Sequence, residues 1–446
     1  MYKRLYTHSI YPPYGVLMIA TILKARGHEV HFIDANQREM DDAAIQEEIG
    51  RIDPEVLGIT VFTDTFAFVE RMGPWFRKNF PKGQLVLGGP LVSGAPKELL
   101  DAGKAQVAVV NDGFMSTPNL MEALEQGSNL TEVEGLMLRS DEGEFTDTGA
   151  APIMSDMDEL PEPDWSFLNV DAYLEGSHAS YFKKKRLQRY LSIITTLGCP
   201  WRCTFCQVPY LFDGVRRRSP ESVAEEIKGY RDRYNIESMY FRDDILFRPD
   251  QIANALGEAV PGLKWSCLLR ADMMKESTVQ RMKDGGCAEI RVGLESGHDL
   301  VLEMANKKTA VEDNLKCIEV ATKVGIDLSG FMIVGLPGES EESLKTTERF
   351  VRETGVRVSV HFPLPLPGTP LYETGREEGL ITDPSALMRR FSDPQLPGTV
   401  LQPPAVNYTD LPGDVLVDWA MRIAEVGRGQ DALKDTQSKA HADSPF

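Results

Sequence analysis

Three cysteines stand close together in Gly198-Cys199-Pro200-Trp201-Arg202-Cys203-Thr204-Phe205-Cys206, spaced C-x-x-x-C-x-x-C. Thiolates are soft ligands that suit iron–sulfur clusters or zinc. A four-iron cluster has four iron corners. Cys199, Cys203 and Cys206 would fill three and leave the fourth open to an exogenous ligand. A structural zinc site usually takes four protein ligands, often as paired C-x-x-C units, and the chain has no second pair. The alternatives are zinc completed by a distant residue, or a loop of unligated cysteines. The apolar, β-branched run Tyr190 to Thr196, ended by Gly198, reads as a buried strand, which puts the cysteines on a loop at its C-terminal end.

The same alternation continues downstream. Strands are predicted over 191–196, 237–242, 264–269, 288–293, 326–334 and 357–362, with helices of about 8 to 15 residues between them. Six such units fit an incomplete parallel barrel over 191–369, whose functional groups lie at the C-terminal strand ends. Distinctive residues fall there: Asp243-Asp244, Arg270, Glu295-Ser296, then Ile333 and Gly335 in a glycine-rich stretch, and finally His361. Each has a plainer reading. Acidic and hydroxyl pairs commonly cap helices, and glycine-rich strand ends commonly make turns. Cys267, Cys287 and Cys317 read as core.

Residues 1–138 read as a doubly wound parallel α/β sheet of the dinucleotide-binding type, with strands at 3–9, Glu29–Ile33, Val56–Phe62, Gln84–Leu87 and Gln106–Val110. The strand ends carry Tyr14-Gly15, Thr60 to Thr63, Gly88-Gly89-Pro90 and Asn111-Asp112-Gly113, where glycines let a bulky ligand approach the backbone. Residues 139–190 read as a linker, with a polar hairpin tip at Asp141–Thr148 and a proline-stiffened Leu160–Trp165. Residues 370–427 read as a small helical region, and 428–446 as a disordered tail.

The 446 residues hold 48 Lys and Arg against 67 Asp and Glu, a net charge of −19. That balance disfavours a nucleic-acid partner, which calls for clustered cations. All six cysteines lie at or after Cys199, which argues against a disulfide framework and for a reducing, cytoplasmic setting. Neither a signal core nor a membrane span is predicted. Two basic runs, Lys183 to Arg186 and Arg216-Arg217-Arg218, leave room for an acidic small molecule.

The cysteine loop resembles that of the radical S-adenosylmethionine (SAM) superfamily. The resemblance implies that Cys199, Cys203 and Cys206 hold a [4Fe-4S] cluster whose open iron chelates SAM, with Phe205 beside the last cysteine. It further implies that Asp243 or Asp244 holds the SAM amino group, Arg270 the SAM carboxylate or the substrate, and Glu295 with Ser296 the ribose. The backbone around Ile333 and Gly335 would border the adenine. Residues 1–135 resemble the cobalamin-binding domain of the cobalamin-dependent class, which makes Tyr14, Gly15, Thr60, Thr63, Gly88, Gly89, Asp112 and Gly113 its candidate contacts. The Asp-x-His-x-x-Gly signature is absent, so a lower face without histidine is expected. What the class implies is methyl transfer to an unactivated carbon of a small or medium organic substrate, through a 5'-deoxyadenosyl radical and methylcobalamin, with a flavodoxin- or ferredoxin-type reductant. Cyclisation or ring rearrangement with the same cofactors is the alternative. Methylthio transfer would need N-terminal cysteines, which the first 198 residues lack. An iron–sulfur sensor or scaffold is the non-enzyme reading.

Overall fold

A computed structural model describes residues 11–176, 189–212, 214–392 and 402–428. The first sheet is built from β1 (Val56–Thr60), β2 (Gln84–Gly88), β3 (Val107–Val109), β4 (Leu136–Arg139) and β5 (Phe145–Asp147), in that spatial order. The first three strands pair in parallel. The last two form an antiparallel hairpin on the β3 edge. The sheet is therefore mixed, not wholly parallel as the alternation suggested, and it runs past residue 138 to Asp147. The tight polar turn after Arg139 returns the chain directly, and direct return is possible only between antiparallel strands.

The helix Phe66–Asn79 lays Phe66, Val69, Met72 and Phe76 on this sheet. Its Gly73 has no room for a side chain, because a Cβ would collide with the backbone of Gly103 on the helix Pro96–Gly103. The strand expected over Glu29–Ile33 pairs with nothing among the described residues. Phe32 instead packs on Phe167 at 5.8 Å, and Asp34 accepts a hydrogen bond from Tyr173. Ile33 packs against the core of the first sheet. The strand expected over 3–9, the basic run at 183–186 and the tail beyond 428 lie outside the described residues.

The second sheet holds β6 (Tyr190–Ile193), β9 (Ser238–Phe241), β10 (Lys264–Arg270), β11 (Cys287–Glu295), β12 (Asp327–Ile333) and β13 (Arg357–His361). A two-stranded ribbon, β7 (Thr196–Leu197) with β8 (Arg216–Arg217), follows the first of them. The six pair in chain order and all in parallel. Each new strand is added to the same edge, so the sheet curls as a partial barrel with helices outside. The helices begin and end where local chemistry dictates. Ser219 caps Pro220–Tyr234, which stops at a left-handed Asn235; Ser340 caps Glu341–Thr354, which stops at Gly355. Trp265, Phe241, Leu269 and Val292 are among the residues that fill the core between sheet and helices.

The regions beyond the barrel also pack firmly. Trp165 of the linker sits edge-on to Tyr230 at 5.5 Å in the barrel core. The helix Gly413–Gly427 buries Leu416, Trp419 and Ile423, seated against Glu341–Thr354 and β13. The helix Pro384–Phe391 reaches the first domain, where Arg389 pairs with Glu70 at 2.8 Å. Ser392 donates to the Thr63 carbonyl at 2.9 Å beside it.

Candidate active site

A cavity of about 440 Å³ opens at the C-terminal ends of the barrel strands. Cys199, Cys203 and Cys206 line it with Asp244, Arg270, Glu295, Ile333 and His361, Thr63 of the first domain, and Arg390, Phe391 and Pro403 to Ala405 from beyond the barrel. The cysteine loop is held from both sides. Thr204 N–H donates to the Ala305 carbonyl at 3.0 Å, Leu371 N–H to the Thr204 carbonyl at 3.0 Å, and the Asn306 side chain to the Arg202 carbonyl at 2.6 Å. Gly198 is left-handed at φ +86°, and a Cβ there would strike the Gly214 carbonyl.

Burial pushes all three thiols upward, Cys206 to about 12; Cys203 raises Cys199 further, and Cys199 and Cys203 both raise Cys206. Arg270 pulls Cys199 and Cys203 the other way, and Lys307 pulls Cys203. Such thiols ionise when a metal centre supplies the compensating positive charge. Among the described residues no three His, Cys, Asp or Glu side chains converge on a point that suits a single metal ion. Three soft donors on the wall of one cavity suit an iron–sulfur cluster.

The two adjacent aspartates part company. Asp243 is fully buried and accepts from Thr195 N–H at 2.6 Å, Thr195 Oγ1 at 2.7 Å and Thr196 N–H at 2.7 Å. It fastens the bend after β6 and is absent from the cavity wall. Burial pushes it up to about 7 against those hydrogen bonds. Asp244 lines the cavity, and burial pushes it up to about 6, with Arg242 opposing. The Arg270 guanidinium lies over Trp201, 4.2 Å from the ring centroid, and Trp201 stacks on Phe247 at 5.9 Å. Its guanidinium donates to Asp272 at 3.1 Å and to the Lys307 carbonyl at 2.8 Å. Glu295, left-handed at φ +59°, meets Lys307 Nζ at 2.6 Å in a buried pair at the cavity edge. Burial lowers His361, with Glu295 opposing, and its Nε2 meets Ser359 Oγ at 2.9 Å. Ser296 and Gly335 face elsewhere. Ser296 Oγ accepts from His298 N–H at 3.2 Å, and the Gly335 N–H is taken by the Glu339 carboxyl group.

The first-sheet candidates divide in the same way. Gly15 and Gly88 have open space where a side chain would project, with only the Val109 carbonyl as near as 4.0 Å to the latter. Thr60 is half-buried at the end of β1 beside Gly89. Gly89 is a conformational necessity, with φ +104° and Thr60 Oγ1 and the Val61 backbone 2.9 Å from a built Cβ. Gly113, at φ +72°, is closed in by Thr117 at 3.0 Å. Tyr14 is buried with Met18, Ile22 and Phe114. Asp112 is spent on Arg216 at 2.5 Å, a pair only 9% and 8% exposed. Two of the three arginines at 216–218 are thereby paired: Arg216 binds Asp112 and Arg218 binds Glu226, while Arg217 is exposed and lies over Phe247. Its apparent readiness for an acidic ligand reflected residue type without partners.

Three features escaped the sequence reading. Lys307 sits in a Lys-Lys dipeptide that looks solvated, yet it is buried on Glu295. Glu339, raised by burial to about 8, holds the turn after β12. Arg390 donates to the carbonyls of Ala405, Pro403 and Pro404 at 3.2 to 3.4 Å.

Family comparison joins these observations. The model of the radical SAM superfamily matches residues 193–351, and that of the B12 binding domain matches 5–116. The chain belongs to the radical SAM superfamily, in its cobalamin-dependent class. Its cofactors are accordingly a [4Fe-4S] cluster, SAM and cobalamin, and it is an enzyme. An uncharacterized methyltransferase of Pyrococcus horikoshii is 25% identical, over 86% of this chain and 85% of that protein. An anaerobic magnesium-protoporphyrin IX monomethyl ester cyclase of Rubrivivax gelatinosus is 26% identical, over 77% of this chain and 62% of the cyclase. In fold, the chain resembles the radical SAM methyltransferase TsrM of Kitasatospora setae, solved with cobalamin and a [4Fe-4S] cluster, with a TM-score of 0.68 at 18% identity over 84% of this chain and 74% of TsrM. No helix among the described residues is long and apolar enough to cross a membrane.

Proposed function

We propose that this radical SAM enzyme is a methyltransferase acting on an unactivated carbon of a small or medium organic substrate. One observation carries the reading: the cysteine loop, the barrel strand ends and Thr63 of the B12-binding domain line a single cavity. When bound, SAM at the cluster supplies a 5'-deoxyadenosyl radical and cobalamin carries the methyl group. The rest is positioning by this chain. Asp244, rather than Asp243, accepts the SAM ammonium in a charge-assisted bond. Arg270, already committed to Asp272, offsets negative charge beside Cys203. Lys307 fixes one oxygen of Glu295 and leaves the other for a ribose hydroxyl. Phe205 and Ile333 are apolar walls beside the nucleoside. Gly15, Gly88, Thr60 and Thr63 border the corrin. The apolar lining keeps water from the radical. A flavodoxin- or ferredoxin-type protein in the reducing cytoplasm delivers the electrons.

The cyclase relative favours a second reading, in which the same cavity rearranges a substrate without methyl transfer. SAM labelled in its methyl group separates the two, with extract of a strain lacking the protein as the substrate source. Label in a new product alongside 5'-deoxyadenosine is expected. A rearranged, unlabelled product with 5'-deoxyadenosine would put the cyclase reading in its place.

A further inference from the structure

The outer half of the cavity carries information about the substrate. Its wall is apolar: Phe331 and Phe362 at the barrel ends, Leu364 beyond them, and Phe391 with Pro403 and Pro404 opposite. Every cation that lines the cavity already has partners. Arg270 is held by Asp272, Lys307 by Glu295, and Arg390 by three backbone carbonyls. An anionic group entering here would have to displace those contacts or remain unpaired in an apolar surround, which is costly. Of the basic run at 216–218, Arg216 and Arg218 are paired with Asp112 and Glu226, and none of the three lines the cavity.

The segment Pro403 to Ala405 is a built element. Val406 is buried with Tyr372, Ile381, Leu387 and Phe391, and Tyr408 donates to the Leu371 carbonyl at 2.9 Å. Arg390 then ties the carbonyls of 403 to 405 down beside the cavity. The two prolines have no N–H to present to a ligand, so Pro403 and Pro404 offer rings and no donors, and the Gln402 amide beside them is neutral. Leu364 is 40% exposed, an apolar side chain left open to the cavity.

We infer that the substrate presents an uncharged, apolar body to the radical site, gripped between Phe331, Phe362, Leu364 and the Arg390-pinned proline strap. The inference rests on the active-site reading above and specifies its substrate class. Arg390 is a positioning residue, acting through the strap. Any polar handle on the substrate meets His361 or the Gln402 amide, or stays at the mouth.

The test uses the full-length holoenzyme with methyl-labelled SAM and extract of a strain lacking the protein, divided into an organic-solvent-soluble fraction and an aqueous anionic fraction. Turnover of a compound from the organic fraction is expected. Turnover confined to the aqueous anionic fraction overturns the inference. Consumption of an organic-soluble compound without label supports the substrate class while removing the methyltransferase reading, so the two claims fail separately. Leu364→Lys adds a cation at an exposed position where folding is insensitive. It should lower turnover at least about tenfold; raised turnover would mean an anionic substrate and contradict the inference. Arg390→Ala should lower the ratio of product to 5'-deoxyadenosine about tenfold, as a loosened strap misplaces the substrate, and Arg390→Lys should restore part of that ratio. An unchanged ratio in Arg390→Ala would refute the positioning role.

Discussion

The strand ends of the barrel and those of the first sheet look equally rich in sequence, but the structure uses them differently. At the barrel, the three cysteines, Asp244, Arg270, Glu295 and Ile333 converge on one cavity. At the first sheet, Tyr14, Gly89, Asp112 and Gly113 are absorbed into packing, turns and an ion pair, and open space remains chiefly at Gly15 and Gly88. The difference is one of chemistry. A cluster and a nucleoside are held by side chains whose types are specific. A corrin lying on a sheet needs backbone exposed by small residues, and glycine meets that need with the same letter it uses for a tight turn.

The comparison breaks most sharply at the cysteines. Replacing Cys199, Cys203 and Cys206 together by Ala should take cluster content and 5'-deoxyadenosine formation to background while the circular dichroism spectrum is kept. Next in size is the ion pair that ties Asp112 of the first domain to Arg216 of β8. Asp112→Ala strands Arg216 in a buried position, and a loss of about 3–5 kcal/mol in denaturant unfolding is expected. If Asp112 instead touched corrin, stability would hold and cobalamin binding would fall. Gly88→Ile and Gly89→Ala sharpen the contrast within two residues. The first should weaken cobalamin binding at least about tenfold with little change in melting temperature. The second should cost on the order of 1–3 kcal/mol through its positive φ. A smaller split is expected at the aspartates. Asp244→Asn should raise the KM for SAM about tenfold, whereas Asp243→Asn should cost on the order of 1–3 kcal/mol of stability through lost buried hydrogen bonds. Equal effects on KM would erase the distinction.

The smallest effect is on pH dependence. Burial raises Glu339 from 4.5 to about 8, so the folded chain keeps a proton that the unfolded chain gives up. The stability tied to that proton is complete below about pH 4.5 and is lost as pH rises through about 8. Urea midpoints should therefore decline more steeply over that window in the wild type than in Glu339→Gln, whose side chain stays neutral. Parallel curves would mean that Glu339 is ionised in the fold.

Much of this was legible in the sequence for a physical reason. Strand–helix alternation with capped helices is local information, and the six barrel strands emerge within a few residues of their predicted bounds. The cysteine loop is local too. What was hidden depends on contacts distant in the chain. The direction of β4 and β5 follows from pairing, the division between Asp243 and Asp244 from which one meets Thr195, and the neutralisation of Arg216 from an aspartate 104 positions away. Lys307 and Arg390 have charged letters that suggest solvent, and only tertiary placement shows them inward.

The most direct measurement is made on the cluster itself. The chain is reconstituted anaerobically with iron and sulfide, reduced, and followed by electron paramagnetic resonance as SAM is added. The account predicts a four-iron signal that shifts on SAM binding, because three thiolates leave one iron open beside Asp244. A preparation that takes up zinc and no iron, or a four-iron signal indifferent to SAM, would contradict it.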